Sequence, residues 1–198
     1  MDFAPGAWRL ATVPFALSAV AAYLFLPAGV ALLLFGAATL WFHRDPERTS
    51  AGRVVSPADG TVSVVREEDD RVRVGVYMSP LSVHVNRAPL AGRIESVQHV
   101  PGAYRPAYSK DSDRNERLHI KGSGPDGEWD LVLIAGWFAR RIHPYVERGA
   151  ELSSGERVGH ISYGSRADVV LPADVTRSEL RVEEGDAVRA GDRLVERK

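Results

Sequence analysis

Residues 10–42 read LATVPFALSAVAAYLFLPAGVALLLFGAATLWF, and no charged side chain interrupts them. As one helix the run would be about 50 Å long, against a bilayer core of about 30 Å. Pro27-Ala28-Gly29 breaks it near the middle, where proline removes a backbone donor and glycine weakens the helix. The halves, 10–26 and 28–42, sit at or below the shortest length that spans a bilayer. The pattern predicts a membrane-associated helical hairpin over 1–43 that dips into or just crosses the membrane. Arg9 flanks one end and His43, Arg44 and Arg48 the other. Cationic flanks at both ends favour the cytoplasmic side for both, with Trp8 and Trp41-Phe42 as interfacial anchors. Two other readings fit the run. Ala19-Val20-Ala21 resembles a signal-peptide cleavage site, although cutting there would leave the second apolar half exposed. The run could also be a buried helix pair of a soluble core.

Residues 44–198 change character. Thr61–Val65, Val72–Tyr77, Asp130–Ile134 and Ala167–Leu171 are short, β-branched and bounded by Gly, Pro or Asp, which reads as strands. No stretch of ten residues there has a helical period, so the segment is expected to be mostly β. Residues 106–117 lack strand alternation and read as a loop or short helix, a length at which loops are often functional. A repeat is also visible. Val146-Glu147-Arg148-Gly149 followed by Gly155-Glu156-Arg157-Val158 returns as Val182-Glu183-Glu184-Gly185 followed by Gly191-Asp192-Arg193-Leu194. Paired glycine turns around a short strand resemble a carrier-like β-sandwich of the lipoyl or biotinyl type. Those carriers tether a cofactor to a lysine, but between the copies lies Tyr163-Gly164-Ser165-Arg166-Ala167-Asp168, without one.

Composition removes several chemistries. The chain has no cysteine, so disulfides, thiol nucleophiles and thiolate zinc sites are excluded. A net charge of −1 and a pI near 6.6 give no basic excess for a nucleic-acid partner. His43, His99, His119, His143 and His160 show no H-x-H or HExxH spacing, which argues against zinc. Among the remaining candidates, Gly164-Ser165 falls in an expected turn between strands. Gly-Ser is among the commonest turn dipeptides, but a serine there can attack the preceding carbonyl if a base takes its proton and the turn is strained. Asp59, in Ser56-Pro57-Ala58-Asp59-Gly60, is first a turn residue and second a carboxylate able to orient a base. Strand alternation sets His84, Asn86 and Ala88 on one face and Arg87 on the other. His84 suits a structural or an acid–base role, and Asn86 and Arg87 can recognise an anion. Arg140-Arg141 is either a surface pair or a phosphate clamp.

Together these stretches carry a resemblance. Phe42-His43-Arg44-Asp45-Pro46-Glu47-Arg48, Ser56-Pro57-Ala58-Asp59-Gly60, Val83-His84-Val85-Asn86-Arg87-Ala88-Pro89, Asn115-Glu116-Arg117, Ile134-Ala135-Gly136, Ala139-Arg140-Arg141-Ile142 and Gly164-Ser165-Arg166 resemble, in order and spacing, the short branch of the phosphatidylserine decarboxylases. These are pyruvoyl-dependent enzymes of phospholipid synthesis, and the apolar N-terminal hairpin is also a feature of the family.

The resemblance implies a proenzyme that cuts itself between Gly164 and Ser165 into fragments 1–164 and 165–198, which stay together as a heterodimer. Ser165 would become a covalent pyruvoyl group whose carbonyl takes up the serine amine of the headgroup and the electrons left by CO2. The substrate would be phosphatidylserine or archaetidylserine, held at the cell membrane with the catalytic domain, 44–198, on the cytoplasmic side. By the same resemblance His84 handles the proton or the carboxylate. Asn86, Arg87, Asn115, Arg117, Arg140 and Arg141 are candidates for holding the substrate's anionic groups. The longer branch has a second histidine three residues after the first; here that place holds Arg87. The expectation is therefore that His84 serves both self-cleavage and decarboxylation, with Asp59 assisting. Two alternatives compete: a membrane-tethered β-sandwich binding module in which Gly164-Ser165 is only a turn, and a serine hydrolase using Asp59, His84 and Ser165. The absence of G-x-S-x-G around Ser165 lowers the second.

Overall fold

The computed structural model describes residues 2–105, 114–137, 139, 141–163 and 165–196. It divides into two units, Met1–Glu47 and Arg48–Lys198.

In the first unit the apolar run forms two helices, α1 (Ala7–Leu24) and α2 (Leu26–Phe42). The break falls at Phe25, in extended conformation, earlier than the expected Pro27-Ala28-Gly29. Pro27 instead occupies the first turn of α2, where its missing N–H belongs to the set no helix can satisfy and its fixed φ already suits the helix. Each helix is about 25–27 Å long at 1.5 Å per residue. The helices approach through small residues. A Cβ on Gly29 would lie 2.4 Å from the Cβ of Ala22, and one on Gly36 would lie 2.6 Å from the Phe15 ring. Large apolar side chains face outward instead: Tyr23 is 90% exposed and Leu24 76%. Close packing through glycine with bulky residues turned out is how helices pair in lipid, and α1 has the length and hydropathy of a membrane span. Two short strands, β1 (Asp2–Phe3) and β2 (Arg44–Asp45), pair antiparallel across the base of the hairpin.

Among the described residues the second unit is built from strands and turns, including the 3-10 turn Arg177–Glu179. Its strands are β3 (Gly60–Glu68), β4 (Arg71–Met78), β5 (Val85–Arg87), β6 (Gly92–Val100), β7 (Arg117–Gly124), β8 (Gly127–Ala135), β9 (Ile142–Pro144), β10 (Glu151–Leu152), β11 (Arg157–Ile161), β12 (Ser165–Val170) and β13 (Ala187–Val188). Eight form one curled antiparallel sheet in the order β10-β6-β7-β8-β12-β4-β3-β13, and β5-β11-β9 form a second. The mostly β architecture with an N-terminal apolar helical hairpin is the expected one. Residues 106–113 of the expected loop lie outside the described residues.

The sequence repeat builds the two edges of the large sheet. Strand β10 belongs to the first copy and pairs with β6; β13 belongs to the second and pairs with β3. Gly149 N–H donates to Ile94 O at 2.8 Å, and Gly185 N–H donates to Val62 O at 2.8 Å. Gly149 and Gly185 have φ of 93° and 102°, the left-handed region that glycine enters without steric cost. Val74, Val76, Met78, Leu131, Leu133, Ala167 and Val169 line the core face of the central strands, with Val54, Leu90 and Leu194 in the same cluster.

Candidate active site

Strand β12 lies at the centre of the large sheet, and its first residue is Ser165. Ser165 stands opposite Met78 of β4 and Ala135 of β8 and has no exposed surface. Its hydroxyl lies 3.8 Å from the Met78 sulfur, which also receives the Asn86 side-chain N–H at 3.4 Å. Ser165 and Asn86 thus converge on one thioether. Asn86 is fully buried, and its Oδ1 has no hydrogen-bond partner among the described residues. A buried amide oxygen left unsatisfied costs about 1–3 kcal/mol, which marks a place for a polar ligand group.

His84 immediately precedes β5 and, by alternation, shares its face with Asn86. It is 2% exposed. The N–H of Ile161, the last residue of β11, donates to the His84 carbonyl at 3.3 Å, four residues before Ser165. The His84 Nδ1 lies 3.0 Å from the Ser82 carbonyl oxygen. A carbonyl can only accept, so Nδ1 carries the hydrogen and Nε2 is the basic nitrogen of the neutral ring. Ser82 belongs to the tight turn 79–82, closed by Ser82 N–H on Ser79 O at 2.9 Å. Met78, which faces Ser165, and His84 are therefore the two ends of one short connection.

The turn ahead of Ser165 is strained. Tyr163 has φ of 67°, a left-handed conformation that an aromatic residue adopts at a cost of about 1–3 kcal/mol. Gly164, the other half of the expected scission site, lies outside the described residues, as does Arg140.

The other candidates distribute as follows. Asp59 accepts from the Arg48 guanidinium and from Ala190 N–H at 2.9 Å. It directly precedes β3, two strands from β12, which is about 10 Å at 4.8 Å per strand. Its loop reaches β5 through Arg87 N–H on Pro57 O at 2.9 Å. Arg87 is buried and its Nη1 donates to Gly155 O at 3.1 Å. The Asn115 amide clamps backbone: it accepts from Arg105 N–H at 2.9 Å and donates to Arg105 O at 2.7 Å and Ala135 O at 2.8 Å. Arg117 stands opposite Ile134, on the sheet face away from Ser165. Arg141 is exposed, and its carbonyl accepts from Ser162 N–H at 3.3 Å beside the strained turn.

Sequence reasoning missed Met78, Ser82 and Tyr163, which carry no motif signal. It also passed over a buried ion network on the far face of β12. Arg166 Nε and Nη2 donate to the two Asp168 oxygens at 2.7 and 2.9 Å, and Arg73 Nη1 reaches Asp168 at 3.4 Å and its Nε reaches Glu68 at 2.6 Å. Burial opposes the Arg73 charge, but the bonded Glu68 and the nearby Asp168 outweigh it and hold its pKa above the usual arginine value. The spacing of Arg166 and Asp168 could have shown this, since residues two apart share a strand face.

Comparison with known proteins adds a lineage. The family model described as phosphatidylserine decarboxylase matches residues 35–196. A protein of Halobacterium salinarum named archaetidylserine decarboxylase proenzyme is 54% identical over 195 residues, covering 98% of this chain and 97% of that one. A Streptomyces coelicolor protein named phosphatidylserine decarboxylase proenzyme is 51% identical over 163 residues, covering 81% and 73%. A Methanopyrus kandleri protein with the archaetidylserine name is 39% identical over 206 residues, covering 96% and 95%.

Proposed function

Because this chain belongs to the phosphatidylserine decarboxylase family, we propose that it cuts itself at Gly164-Ser165 and then decarboxylates the serine headgroup of a membrane phospholipid. The observation that carries the reading is the meeting of buried Ser165, Met78 and Asn86 beside the His84 segment, directly after the strained Tyr163.

For scission, the Nε2 of His84 takes the hydroxyl proton of Ser165 as its oxygen attacks the Gly164 carbonyl. The peptide C–N bond breaks, the nitrogen of residue 165 takes a proton, and an ester joins Gly164 to the serine oxygen. Removal of the α-proton of residue 165 expels Gly164 as a carboxylate and leaves a dehydroalanine. Water then replaces its nitrogen, released as ammonia, to give the pyruvoyl terminus. Asp59 assists at one remove: it fixes the loop that holds β5, and β5 carries the site.

The residues present suit such a group: a buried start to β12, a buried amide oxygen seeking a partner and, on the strand face of that amide, an imidazole. Once formed, the pyruvoyl ketone supplies an acceptor for the headgroup amine and for the electrons released with CO2. His84 returns a proton to the headgroup carbon. Asn86 offers its amide to the bound headgroup, Arg87, Arg140 and Arg141 are the cations for its carboxylate and phosphodiester, and Asn115 positions the backbone around Ala135, while Arg117, on the opposite sheet face, stays outside the site. Fragment 165–198 stays bound to 1–164 because β12 is laddered on both sides. The helical hairpin holds the enzyme at the cell membrane, where cationic flanks favour the cytoplasmic side.

Intact mass measurement of the purified chain tests the reading. Two fragments are expected, the smaller lighter by one ammonia than a fragment beginning with serine. Borohydride in the presence of substrate should attach the headgroup to that fragment. Assays with diacyl and ether-linked lipids decide between phosphatidylserine and archaetidylserine. A chain that stays whole, with an ordinary serine at 165, refutes the proposal.

A further inference from the structure

Among the described residues, the large apolar side chains exposed on the second unit are four: Leu81 at 71%, Tyr104 at 39%, Trp137 at 62% and Tyr163 at 36%. They come from four separate segments, yet the sheet register gathers those segments at one end. Leu81 follows β4 in the turn that orients His84. Tyr163 precedes Ser165. Trp137 lies two residues beyond Ala135, the partner of Ser165. Tyr104 hydrogen-bonds Glu116, next to Asn115, whose amide holds the Ala135 carbonyl. Ser165 opposes Met78 and Ala135, and Arg117 opposes Ile134, so all four side chains ring the Ser165 end.

Charge follows the same axis. The described charged residues of these segments are Arg105, Arg114, Arg117 and Arg141 against one carboxylate, Glu116, which already accepts from His99 at 3.0 Å and from Tyr104. The opposite end has an acidic excess: Glu67, Glu68, Asp69 and Asp70 at the β3–β4 turn lie between Arg66 and Arg71, and Asp126 at the β7–β8 turn and Asp174 after β12 share one cation, Arg53.

The geometry points to this end of the sheet as a docking face for an anionic bilayer, with Leu81, Tyr104, Trp137 and Tyr163 entering the headgroup layer and the arginines facing lipid phosphates. The inference rests on the lipid-headgroup reading above and deepens it. Ser165 is wholly buried, and the segments bearing these four side chains surround its end of the sheet, so a lipid that stays in its leaflet brings its headgroup nearest Ser165 when this end meets the membrane. Exposed apolar patches mark such interaction sites, Trp and Tyr favour the membrane interface, and clustered arginine is drawn to anionic leaflets. The acidic far end is repelled by the same surface, which orients the unit.

The chain has no cysteine, so single spin labels can be placed on the full-length protein through Leu81→Cys, Trp137→Cys and, as a control at the acidic end, Glu67→Cys. The proteins are reconstituted in vesicles of phosphatidylglycerol and phosphatidylcholine, and collisions with oxygen and with a water-soluble nickel chelate are compared. The oxygen-to-nickel ratio at 81 and 137 is expected to exceed that at 67 several-fold and to fall in pure phosphatidylcholine or at high salt. Equal ratios at all three positions overturn the docking face. So does spin–spin broadening at 81 or 137, which would show a second copy of the chain covering the rim. Intact masses of the same samples separate the two readings. Labels in lipid on an uncut chain leave docking standing and defeat self-cleavage, whereas a cut chain with labels in water does the reverse.

Discussion

The Nδ1 of His84 donates to the carbonyl oxygen of Ser82, two residues earlier and 3.0 Å away. The ring is therefore oriented by a peptide group, while Asp59 is engaged by Arg48 and Ala190. The two residues should then behave differently. His84→Ala removes the base and is expected to slow scission by at least about a hundredfold, followed as the loss of intact chain on denaturing gels. Asp59→Asn loosens a loop and should slow it by less than about tenfold, the loss of one charged hydrogen bond, without altering the pH profile. Normal cleavage by His84→Ala would remove His84 from the first step.

Asp168 is 1% exposed and Arg166 3%, so removing either leaves a charge in the protein interior. Asp168→Ala is expected to cost about 3–5 kcal/mol in unfolding free energy, measured by urea denaturation. The double variant Arg166→Met, Asp168→Val should recover most of that loss, because two buried charges leave together. A double variant as unstable as the single would mean that the cost lies in Arg73, which loses its Asp168 partner in both variants.

Local signals carried the parts of this fold that depend on few residues. The glycines of the repeat, Gly149, Gly155, Gly185 and Gly191, all take positive φ, because V-E-x-G-x5-G marks a backbone need that only the turn itself sets. The hairpin was equally legible, although its break lies at Phe25 because Pro27 starts a helix as readily as it ends one. Met78 had no such signal. It meets Ser165 only because β4 and β12 pair in one register across 87 positions, and Ser82 matters through its carbonyl, which every residue has. The candidate site was thus readable as residue types and unreadable as contacts.

Tyr163 holds its left-handed backbone one residue before the expected scission site. If that strain is released as the peptide bond breaks, relieving it beforehand should slow the reaction. Tyr163→Gly adopts the same φ without steric cost, so scission is expected to slow about tenfold, equivalent to roughly 1.4 kcal/mol of lost ground-state strain. The thermal midpoint should hold or rise. An unchanged or faster rate in a folded Tyr163→Gly chain would show that the strain does not drive the reaction.

Acid should weaken the second unit through two glutamates. The Arg73 hydrogen bond holds the Glu68 carboxyl below its ordinary value of 4.5. Burial raises that of Glu116, but the hydrogen bonds from Tyr104 and His99 outweigh it and the net shift is downward. In each case the unfolded chain takes up its proton first as pH falls. The stabilisation is therefore whole above the ordinary glutamate value and drains away as pH drops through the lower folded values. Tm should hold from neutral pH to about pH 5 and decline below it. Glu68→Gln and Glu116→Gln remove the titrating groups, so each should start from a lower Tm and show a shallower acid decline, the two effects adding because the residues share no partner. A wild-type decline that both variants reproduce in full would assign the acid sensitivity to other carboxylates.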